Sequence, residues 1–358
     1  MPSIRGLQTD LFTGAASYDY SMATPPGAGG LMPQLALQFN SKLRWDDSGG
    51  HNSVAGAGWK LTADSFRYYA PYESSPAPTW RVGGAAFSEG GSGNTIYLKE
   101  TPEWRVVQIN GSANGPADAY APDGTRYHFE PALFDWYCQG TSLVSRTDKW
   151  VLQYITDTVG NRIDYTYDTA LPVNPADVDS PNFVNYGDRV RDVHIVGTCA
   201  PAPNGKTIHY LSQINLTRIS YNGGQTTVDF TYAITRTDAP IDYRTDANQS
   251  WAFYTTRLLT AVKVKQAGSL VAAYKLDYDF FADASDPANP VKQLYALRAI
   301  RRCSDDALTS CLPATSFTNS SSQMLAVDSG YGGQVRFGYG LDSIVTSRTV
   351  TDTVTNRG

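Results

Sequence analysis

The stretch "DTVGNRIDYTYD", from Asp157 to Asp168, joins a tight turn to a strand of alternating apolar residues. Gly160 and Asn161 are residue types that accept the positive φ angles of a hairpin turn. After this turn, every second side chain is apolar or aromatic: Ile163, Tyr165 and Tyr167. Because successive side chains of a strand point to opposite faces, this spacing sends all three to one face.

The same unit of turn and alternating strand recurs along the chain. Its other copies are "PDGTRYHFEP" (122–131), "YNGGQTTVDFTY" (221–232) and "GYGGQVRFGYG" (330–340). A single hairpin cannot bury such a face, but hairpins stacked side by side can. The spacing between copies is irregular. The sequence therefore predicts an all-β fold, an array of antiparallel hairpins in a large twisted sheet, rather than a strict solenoid.

The composition agrees with this prediction and excludes some classes of function. The chain has 23 Tyr, 31 Gly and 20 Pro, which suits strands separated by many turns. Its 29 basic and 34 acidic residues are mixed and give a net charge of -5, so we expect no nucleic-acid partner. We find no apolar run long enough for a membrane helix and no visible signal peptide.

Two segments interrupt the alternation. Residues 169–189 and 281–293 are rich in Pro and Asp, and we interpret both as surface loops. Neither marks a clear domain boundary. We divide the chain into an opening segment, 1–67, and a continuous hairpin array, 68–358, whose final residues resemble the start of another strand and turn.

The opening segment resembles a known family. Its ordered elements are Thr13-Gly14, Pro25-Pro26-Gly27, Gly29-Gly30-Leu31 with Pro33, Phe39-Asn40-Ser41 and Gly56-Ala57-Gly58-Trp59. This order resembles the Salmonella virulence plasmid B-type domain, which also opens the B component of insecticidal Tc toxins. The segment 297–319 contains a cysteine pair followed by a Leu-Pro-x-Thr-x-Phe motif, and it resembles a later segment of proteins in the same family. Residues 157–167 are similar to the YD repeat of Rhs proteins.

The resemblance implies a long β-sheet that spirals into a hollow shell, part of a YD-repeat β-shell. In toxin relatives, such shells enclose a C-terminal effector. Neither a self-cleaving Asp-rich motif nor an effector domain is visible in this sequence. We therefore interpret the chain as a segment of a longer shell, and this weakens an assignment to toxin delivery.

The four cysteines are an even set, which is compatible with two disulfides in an oxidising compartment. Cys303 and Cys311 are separated by "SDDALTS", and we expect them to pair. Cys138 and Cys199 would form the second disulfide. The alternative is four free, buried thiols.

No residue pattern points to catalysis, a metal or a cofactor. The histidines, His51, His128, His194 and His209, lack metal-ligand spacing, and His128 should face away from Tyr127 and Phe129. We interpret the acidic pairs Asp46-Asp47 and Asp305-Asp306 as turn residues. Nucleophile-elbow, phosphate-loop and dinucleotide motifs are missing. We therefore predict a protein that is not an enzyme.

Two sets of residues carry the structural and the alternative interpretation. We expect these glycines to form structural turns: Gly14, Gly30, Gly58, Gly160 and Gly333. The tryptophans could instead build a platform for glycan or protein, and the candidates are Trp45, Trp80, Trp104 and Trp136. Core packing is the simpler interpretation of the tryptophans, and Trp59 in particular should be buried.

The sequence therefore predicts a non-catalytic, secreted or cell-surface structural segment that encloses a cargo or builds a surface assembly. Its partners would be the remainder of a longer chain or identical copies, with an encapsulated effector, a glycan or a surface protein as further candidates. The alternative is an adhesin-like binding module. Exposure of the tryptophans in one open groove would favour the alternative.

Overall fold

A computed structural model of the chain describes most of its residues. The described ranges are 7–9, 15–41, 53–62, 65–69, 79–82, 86–89, 95–98, 103–108, 115–171, 190–195, 199, 206–236, 244–246, 249–251, 255–281, 294–320, 324–337 and 350–351. Within these ranges the structure is made of strands and turns, with one short 3-10 turn at Ala28–Gly30 and no α-helix. No helix in this part of the chain is long and apolar enough to cross a membrane. The predicted all-β fold with large antiparallel sheets is confirmed.

Four strands near the start of the chain form the small sheet, with neighbours in chain order. They are β1 (Leu7–Thr9), β2 (Ala16–Ser21), β3 (Ala36–Asn40) and β4 (Trp59–Leu61). Phe39 of β3 lies opposite Tyr18 of β2 and Trp59 of β4. All three rings are buried. Alternation thus gives the small sheet one aromatic face that needs a partner.

A second group of strands closes on itself. Its members are β5 (Ser65–Tyr69), β6 (Thr79–Val82), β7 (Ala86–Glu89), β8 (Thr95–Leu98), β9 (Arg105–Gln108), β10 (Ala117–Tyr120), β11 (Arg126–Gln139) and β12 (Ser142–Thr156). Each pairs antiparallel with the next, and β12 pairs back with β5 through Lys149 to Val151. We call this group the ring.

The remaining strands form a long antiparallel meander and two separate hairpins. Their bounds are β13 (Arg162–Tyr167), β14 (Val190–Ile195), β15 (Lys206–Leu211), β16 (Leu216–Tyr221), β17 (Thr226–Thr235), β18 (Arg244–Asp246), β19 (Gln249–Trp251), β20 (Arg257–Gln266), β21 (Ser269–Phe281), β22 (Leu294–Cys303), β23 (Thr315–Asn319), β24 (Met324–Asp328), β25 (Gln334–Phe337) and β26 (Val350–Thr351). The hairpins are β14–β15 and β18–β19. The others are neighbours in chain order, and we call them the ribbon.

β12 connects the ring to the ribbon. Residues Lys149 to Val151 of its second edge pair with β5, whereas Tyr154 to Thr156 of the same edge pair with β13. One strand therefore belongs to both sheets, and the two sheets diverge from it. The hairpin turns at 157–161, 222–225 and 267–268 all lie at one edge of the ribbon, because each follows a strand running in the same direction. We call this the turn edge.

One hydrophobic core joins the small sheet, the ring and the ribbon. Its largest fully buried side chains come from all three and include Phe39, Trp59, Phe129, Trp150, Tyr221 and Phe317. The chain changes sheets between Leu61 and Ser65, but the core does not divide there. A second cluster packs β11 and β12 against β15.

The predicted aromatic alternation is present where side chains are described. In β13, Ile163 and Tyr165 are buried, and in β17 the same holds for Val228 and Phe230. Most residues of the two predicted loops, 172–189 and 282–293, lie outside the described residues.

The predicted turn glycines differ in their backbone. Gly30, Gly58 and Gly160 have φ angles of 83°, 80° and 92°. In the last hairpin, the positive φ angles belong to Gly330 (73°) and Gly332 (90°) instead of the predicted Gly333. Gly333 follows these residues and closes the turn by accepting a hydrogen bond from the Ser329 amide at 2.8 Å. Gly14 lies outside the described residues.

Candidate functional site

Three tyrosines join neighbouring hairpin strands in the same way, and we call them the tyrosine ladder. Each donates its hydroxyl to a leucine carbonyl on the preceding strand of its own sheet. The pairs are Tyr167 to Leu152 (2.8 Å), Tyr232 to Leu216 (2.9 Å) and Tyr278 to Leu259 (2.5 Å). The ladder therefore extends across the ribbon, from β12 to β21.

Each ladder tyrosine lies at a β-bulge, where an extra residue shifts the register of the strand pair. Each tyrosine also faces a leucine on the following strand of the ribbon: Tyr167 lies opposite Leu216 of β16, and Tyr232 lies opposite Leu259 of β20. A leucine opposite one tyrosine therefore accepts the hydroxyl of the next tyrosine. The device repeats along the ribbon and couples each hairpin to its neighbour.

The repeat continues with a different side chain. Tyr278 lies opposite Leu297, and the Leu297 carbonyl accepts from the amide of Asn319 at 2.9 Å. Asn319 also follows a register shift. An amide nitrogen thus occupies the position that a hydroxyl fills in the first three units.

Two of the ladder hydroxyls, those of Tyr232 and Tyr278, are neutral donors. Burial raises the pKa of Tyr278 well above its ordinary value of 10.0. Burial, with a smaller contribution from the nearby Asp168 carboxylate, also raises the pKa of Tyr232 far above that value. The two hydroxyls therefore keep their protons at any pH at which the protein would function.

Buried amides extend the same coupling beyond the strand ends. Asp168 accepts from the backbone and side-chain nitrogens of Asn215 at 3.0 Å and 2.8 Å. Gln213 donates to the Asn215 side chain and accepts from the Thr256 hydroxyl at 2.8 Å. These residues follow β13 and precede β16 and β20, so the network links three strands opposite the turn edge.

The segment Met22–Leu31 crosses the turn edge of the ribbon, and we call it the strap. Tyr221 donates its hydroxyl to the Pro25 carbonyl at 2.7 Å, and the Ala28 amide donates to the Asn222 side chain at 2.8 Å. Gly29 has a φ of +63°, and a β-carbon there would lie 2.6 Å from the Asn161 side chain. A larger residue at position 29 would strain the backbone and displace the Asn161 side chain.

The segment Ser53–Gly58 docks at the opposite edge, and we call it the clip. The Leu259 amide donates to the Val54 carbonyl at 2.8 Å, and the Ala57 amide donates to the Tyr295 carbonyl at 2.9 Å. Gly56 has a φ of +85°, and a β-carbon there would lie 2.8 Å from the Tyr295 carbonyl oxygen. The strap and the clip thus hold the small sheet at both edges of the ribbon.

Aromatic rings fill the space between the small sheet and the ribbon. The Trp59 ring centroid lies 4.7 Å from that of Phe317, and the Tyr18 centroid lies 5.6 Å from it, both edge to face. Tyr20 meets Tyr274 in the same way at 6.2 Å. Burial raises the pKa of Tyr18 and of Tyr20 to about 12. This face of the ribbon is therefore covered by the chain's own small sheet.

The ring contains a buried ionic cluster. His128 of β11 contacts Asp118 of β10 through Nδ1 at 2.7 Å and Glu130 through Nε2 at 3.1 Å. Arg126 reaches the other Asp118 oxygen at 2.9 Å, and the His128 ring stacks on Tyr154 at 4.5 Å. As alternation predicts, His128 points away from the core face that holds Phe129.

The cluster favours the charged forms of its members. Burial alone would lower the pKa of His128, but hydrogen bonds to Asp118 and Glu130 outweigh burial and raise the pKa above 6.5. Burial alone would raise the pKa of Asp118, yet hydrogen bonds to His128 and Arg126 lower it below 3.8. His128 therefore keeps its proton to a higher pH than a free imidazole, and Asp118 stays ionised to a lower pH than a free carboxyl group.

The predicted tryptophan platform does not appear where the side chains are described. Trp136 is buried in the second core cluster, against Phe134 and its neighbours, because its side of β11 is covered by β15. Trp104 is half-buried and packs on Tyr127 at 5.3 Å. The residue Trp45 and the side chain of Trp80 lie outside the described part.

The cysteines lie in two places. Cys303 and Cys311 are joined by a disulfide at the end of β22. Cys199 is also disulfide-bonded, and the side chain of its predicted partner, Cys138, is not described. In the loop between Cys303 and Cys311, the Asp305 carboxylate accepts hydrogen bonds from the amides of Thr309 and Ser310. Asp305 thus stabilises a turn, as is common for Asp.

No cluster of potential metal ligands occurs among the described residues. The sequence features missed in advance are the ladder bulges, the ionic cluster and the contacts of the clip. The contact between Asp118 and His128 could have been predicted from the sequence, since a hairpin turn at residues 121–125 places the two residues opposite each other.

Together these features define a class: an all-β array of antiparallel hairpins, one face of which is packed by the small sheet. No family model and no curated protein matches the chain. Among solved structures, it is similar to TcdB2-TccC3, with a TM-score of 0.50 and 14% identity over 87% of this chain. The match covers 16% of the TcdB2-TccC3 chain, so this chain spans about a sixth of its length.

Two further solved structures match with lower scores. The Photorhabdus luminescens Tc holotoxin pore has a TM-score of 0.47 and 15% identity, over 85% of this chain and 16% of that one. The N-terminal domain of SpvB from Salmonella typhimurium has a TM-score of 0.43 and 16% identity, over 80% of this chain and 99% of that domain. The likeness to TcdB2-TccC3 confirms the sequence resemblance at the level of fold.

Proposed function

We propose that this chain is a non-catalytic structural segment of an exported β-shell, which encloses a cargo or builds a surface assembly. The observation that carries the proposal is the tyrosine ladder, because it repeats one joint across successive hairpins. Such a joint extends a wall without preparing a site for chemistry.

The wall is suited to mechanical work. Backbone hydrogen bonds run continuously from β12 to β25, and the partly buried ladder tyrosines add neutral cross-links between strands. The strap and the clip hold the small sheet at both edges, so the aromatic core cannot open at one side alone. These features support a rigid panel rather than a moving part.

The partners we propose are more of the same chain, identical copies or an enclosed effector. The similar structure TcdB2-TccC3 contains two named components, which is compatible with a wall that works with a partner. Because the small sheet covers one face of this ribbon, we propose that a cargo contacts another part of the assembly.

We also propose that the chain is secreted or displayed at the cell surface. The disulfide between Cys303 and Cys311 supports an oxidising compartment. The adhesin alternative required an open groove of tryptophans. It receives no support from Trp104 and Trp136, which pack against other side chains.

The proposal is tested on the protein isolated from its natural source. We expect either a polypeptide several times longer than these 358 residues that forms hollow particles in electron micrographs, or a chain near 39.0 kDa that forms ordered polymers. The first result supports the enclosing shell, and the second supports a surface assembly. A soluble monomer near 39.0 kDa would contradict both.

A further inference from the structure

The regular pairing of β12 lapses on both of its edges at Leu152 and Gln153, and we call these two residues the hinge. On one edge, Val151 is the last residue paired with β5 and Tyr154 is the first paired with β13. On the other edge, a register shift against β11 leaves Gln153 without an opposite residue. Because the backbone ladder is interrupted here, side-chain contacts take a larger share of the joint between the ring and the ribbon.

The ionic cluster lies directly beside the hinge, because His128 is the residue opposite Tyr154. The imidazole stacks on the aromatic ring of Tyr154 at 4.5 Å, and the Arg162 guanidinium of β13 lies 3.9 Å from the centroid of that ring. This stack therefore runs from β11, through the strand of the hinge, to the ribbon. The charged and titratable side chains around the imidazole come from β10 to β13, and they are Asp118, Tyr120, Arg126, Glu130, Tyr154, Arg162 and Asp164.

Both nitrogens of the His128 imidazole face carboxylates, Nδ1 that of Asp118 at 2.7 Å and Nε2 that of Glu130 at 3.1 Å. A protonated imidazole donates from both nitrogens, whereas either neutral tautomer has a lone pair at one of them and would set it against a carboxylate. Asp118 also accepts from Arg126. The second oxygen of Glu130, however, is buried and has no hydrogen-bond partner among the described residues. The Glu130 carboxylate therefore depends on the proton of His128.

We propose that His128 is a proton-controlled latch: its protonated imidazole holds the β10–β11 hairpin against β12 at the hinge, and loss of the proton opens this hairpin locally. Opening lets water reach the Glu130 carboxylate, which relieves a buried charge that has lost its donor. The Tyr167 hydroxyl still holds the Leu152 carbonyl, so the hinge itself stays attached to the ribbon.

The direction of the response follows from the partners of His128. Burial lowers its pKa, but the hydrogen bonds to Asp118 and Glu130 outweigh burial and raise the pKa above 6.5. The contribution of the latch is therefore complete below 6.5 and is lost as the pH rises through the folded value. The latch acts on the joint between the ring and the ribbon, and it is independent of the shell role.

The test is residue-level hydrogen exchange of the 358-residue chain at about pH 5.5 and at about pH 9, with each opening constant corrected for the intrinsic exchange rate. We expect the opening constants of the amides in residues 126–130 to rise about tenfold at the higher pH, the value of one charged hydrogen bond. The amides of β17 and β20 should show no such rise. The proposal is overturned if residues 126–130 do not respond, or if β17 and β20 respond equally.

Two substitutions separate the latch from a general effect of pH. His128→Gln cannot carry the proton, so residues 126–130 should open at both pH values as the parent chain does at the higher one. Glu130→Gln should instead keep them closed at both, because its amide group accepts from a protonated imidazole and donates to a neutral one. Glu130→Gln thus decides the matter even if His128→Gln fails to fold.

His209→Gln is the matched control, since it removes a histidine from β15, outside the ionic cluster. It should keep the response of the parent chain. The proposal is overturned if Glu130→Gln opens at the higher pH as the parent does, or if a folded His128→Gln variant keeps the response. It is also overturned if His209→Gln abolishes the response.

Discussion

In the ribbon, neighbouring strands are joined by neutral tyrosine hydroxyls, whereas in the ring β10 and β11 are joined by the charged side chains of Asp118, His128 and Glu130. The ionic joint is buried and the tyrosine joints are partly buried, and both kinds cross a strand pair. They differ in the cost of failure: a buried charge that loses its partner is destabilising, whereas a lost neutral hydrogen bond is a smaller loss.

The comparison indicates different uses of the two regions. The ribbon repeats a neutral joint that functions equally at any moderate pH, as a panel of a wall requires. Among its described side chains, the ring contains an ionic joint whose strength depends on the protonation of His128 and Asp118. The strap, the clip and the aromatic core attach the small sheet to the ribbon, so the ribbon carries most of the shared packing.

The largest effect should come from removing the packing beneath the ribbon. Trp59→Ala removes the indole group that contacts Phe317, Phe39 and Tyr18, and we expect a loss of about 3–5 kcal/mol in the free energy of unfolding. Denaturant unfolding gives the loss. An unchanged midpoint would show that the small sheet does not support the ribbon.

The next largest effect should come from the ionic joint. Asp118→Asn keeps the shape of the side chain but leaves His128 and Arg126 with a neutral partner, and we expect a loss of about 2–3 kcal/mol. The exposed pair Arg162 and Asp164 provides the control, because Asp164→Asn should change stability by less than about 1 kcal/mol. Equal losses in the two variants would contradict the distinction between buried and exposed pairs.

A smaller loss should follow from breaking one neutral joint. Tyr278→Phe removes the hydroxyl that the Leu259 carbonyl accepts, and we expect a loss of about 1–2 kcal/mol in unfolding free energy. Tyr331→Phe is the control, since Tyr331 is 57% exposed and should tolerate the change. If Tyr278→Phe is as stable as the parent chain, the ladder does not contribute to stability.

The smallest change should appear as a difference in pH dependence. The raised pKa of His128 means that its stabilisation is complete below 6.5 and is lost as the pH rises through its folded value. The lowered pKa of Asp118 means that its stabilisation is present above 3.8 and is lost as the pH falls through its folded value. We expect the cluster to stabilise most between these two values.

Unfolding measured across this pH range checks the assignment. The parent chain should lose stability on the alkaline side, and Asp118→Asn should lose less of it, because the charge that holds the histidine proton is gone. The ladder variant Tyr278→Phe should instead keep the parent's profile, shifted by a constant amount. Parallel profiles for all three proteins would place the titrating group elsewhere.

The hairpins were predictable because their signals are local. Gly160 and Asn161 mark a turn, and the alternation that follows needs no distant partner to place Ile163 and Tyr165 on one face. The family resemblance added the prediction that these hairpins form one long β-sheet. The strap and the clip lie at the Gly-rich elements on which the resemblance rested, and Gly29 and Gly56 lie close to the ribbon.

The joints between hairpins were not predictable from such signals. Tyr167 lies opposite Leu216, a residue far along the chain beyond the β14–β15 hairpin, and nothing in the alternation places a bulge there. Strand periodicity also leaves open which face is covered. Trp136 was a candidate for ligand binding for this reason, but β15 covers it.

Residue-level hydrogen exchange of the intact chain tests the central claim most directly, that the small sheet and the ribbon fold as one body on a shared core. We predict that the amides of β3 and β4 open with the same free energy as those of β16, β17 and β20, and that Trp59→Ala lowers all of them together. Independent, faster exchange of the small sheet, with the ribbon still protected, would contradict the account.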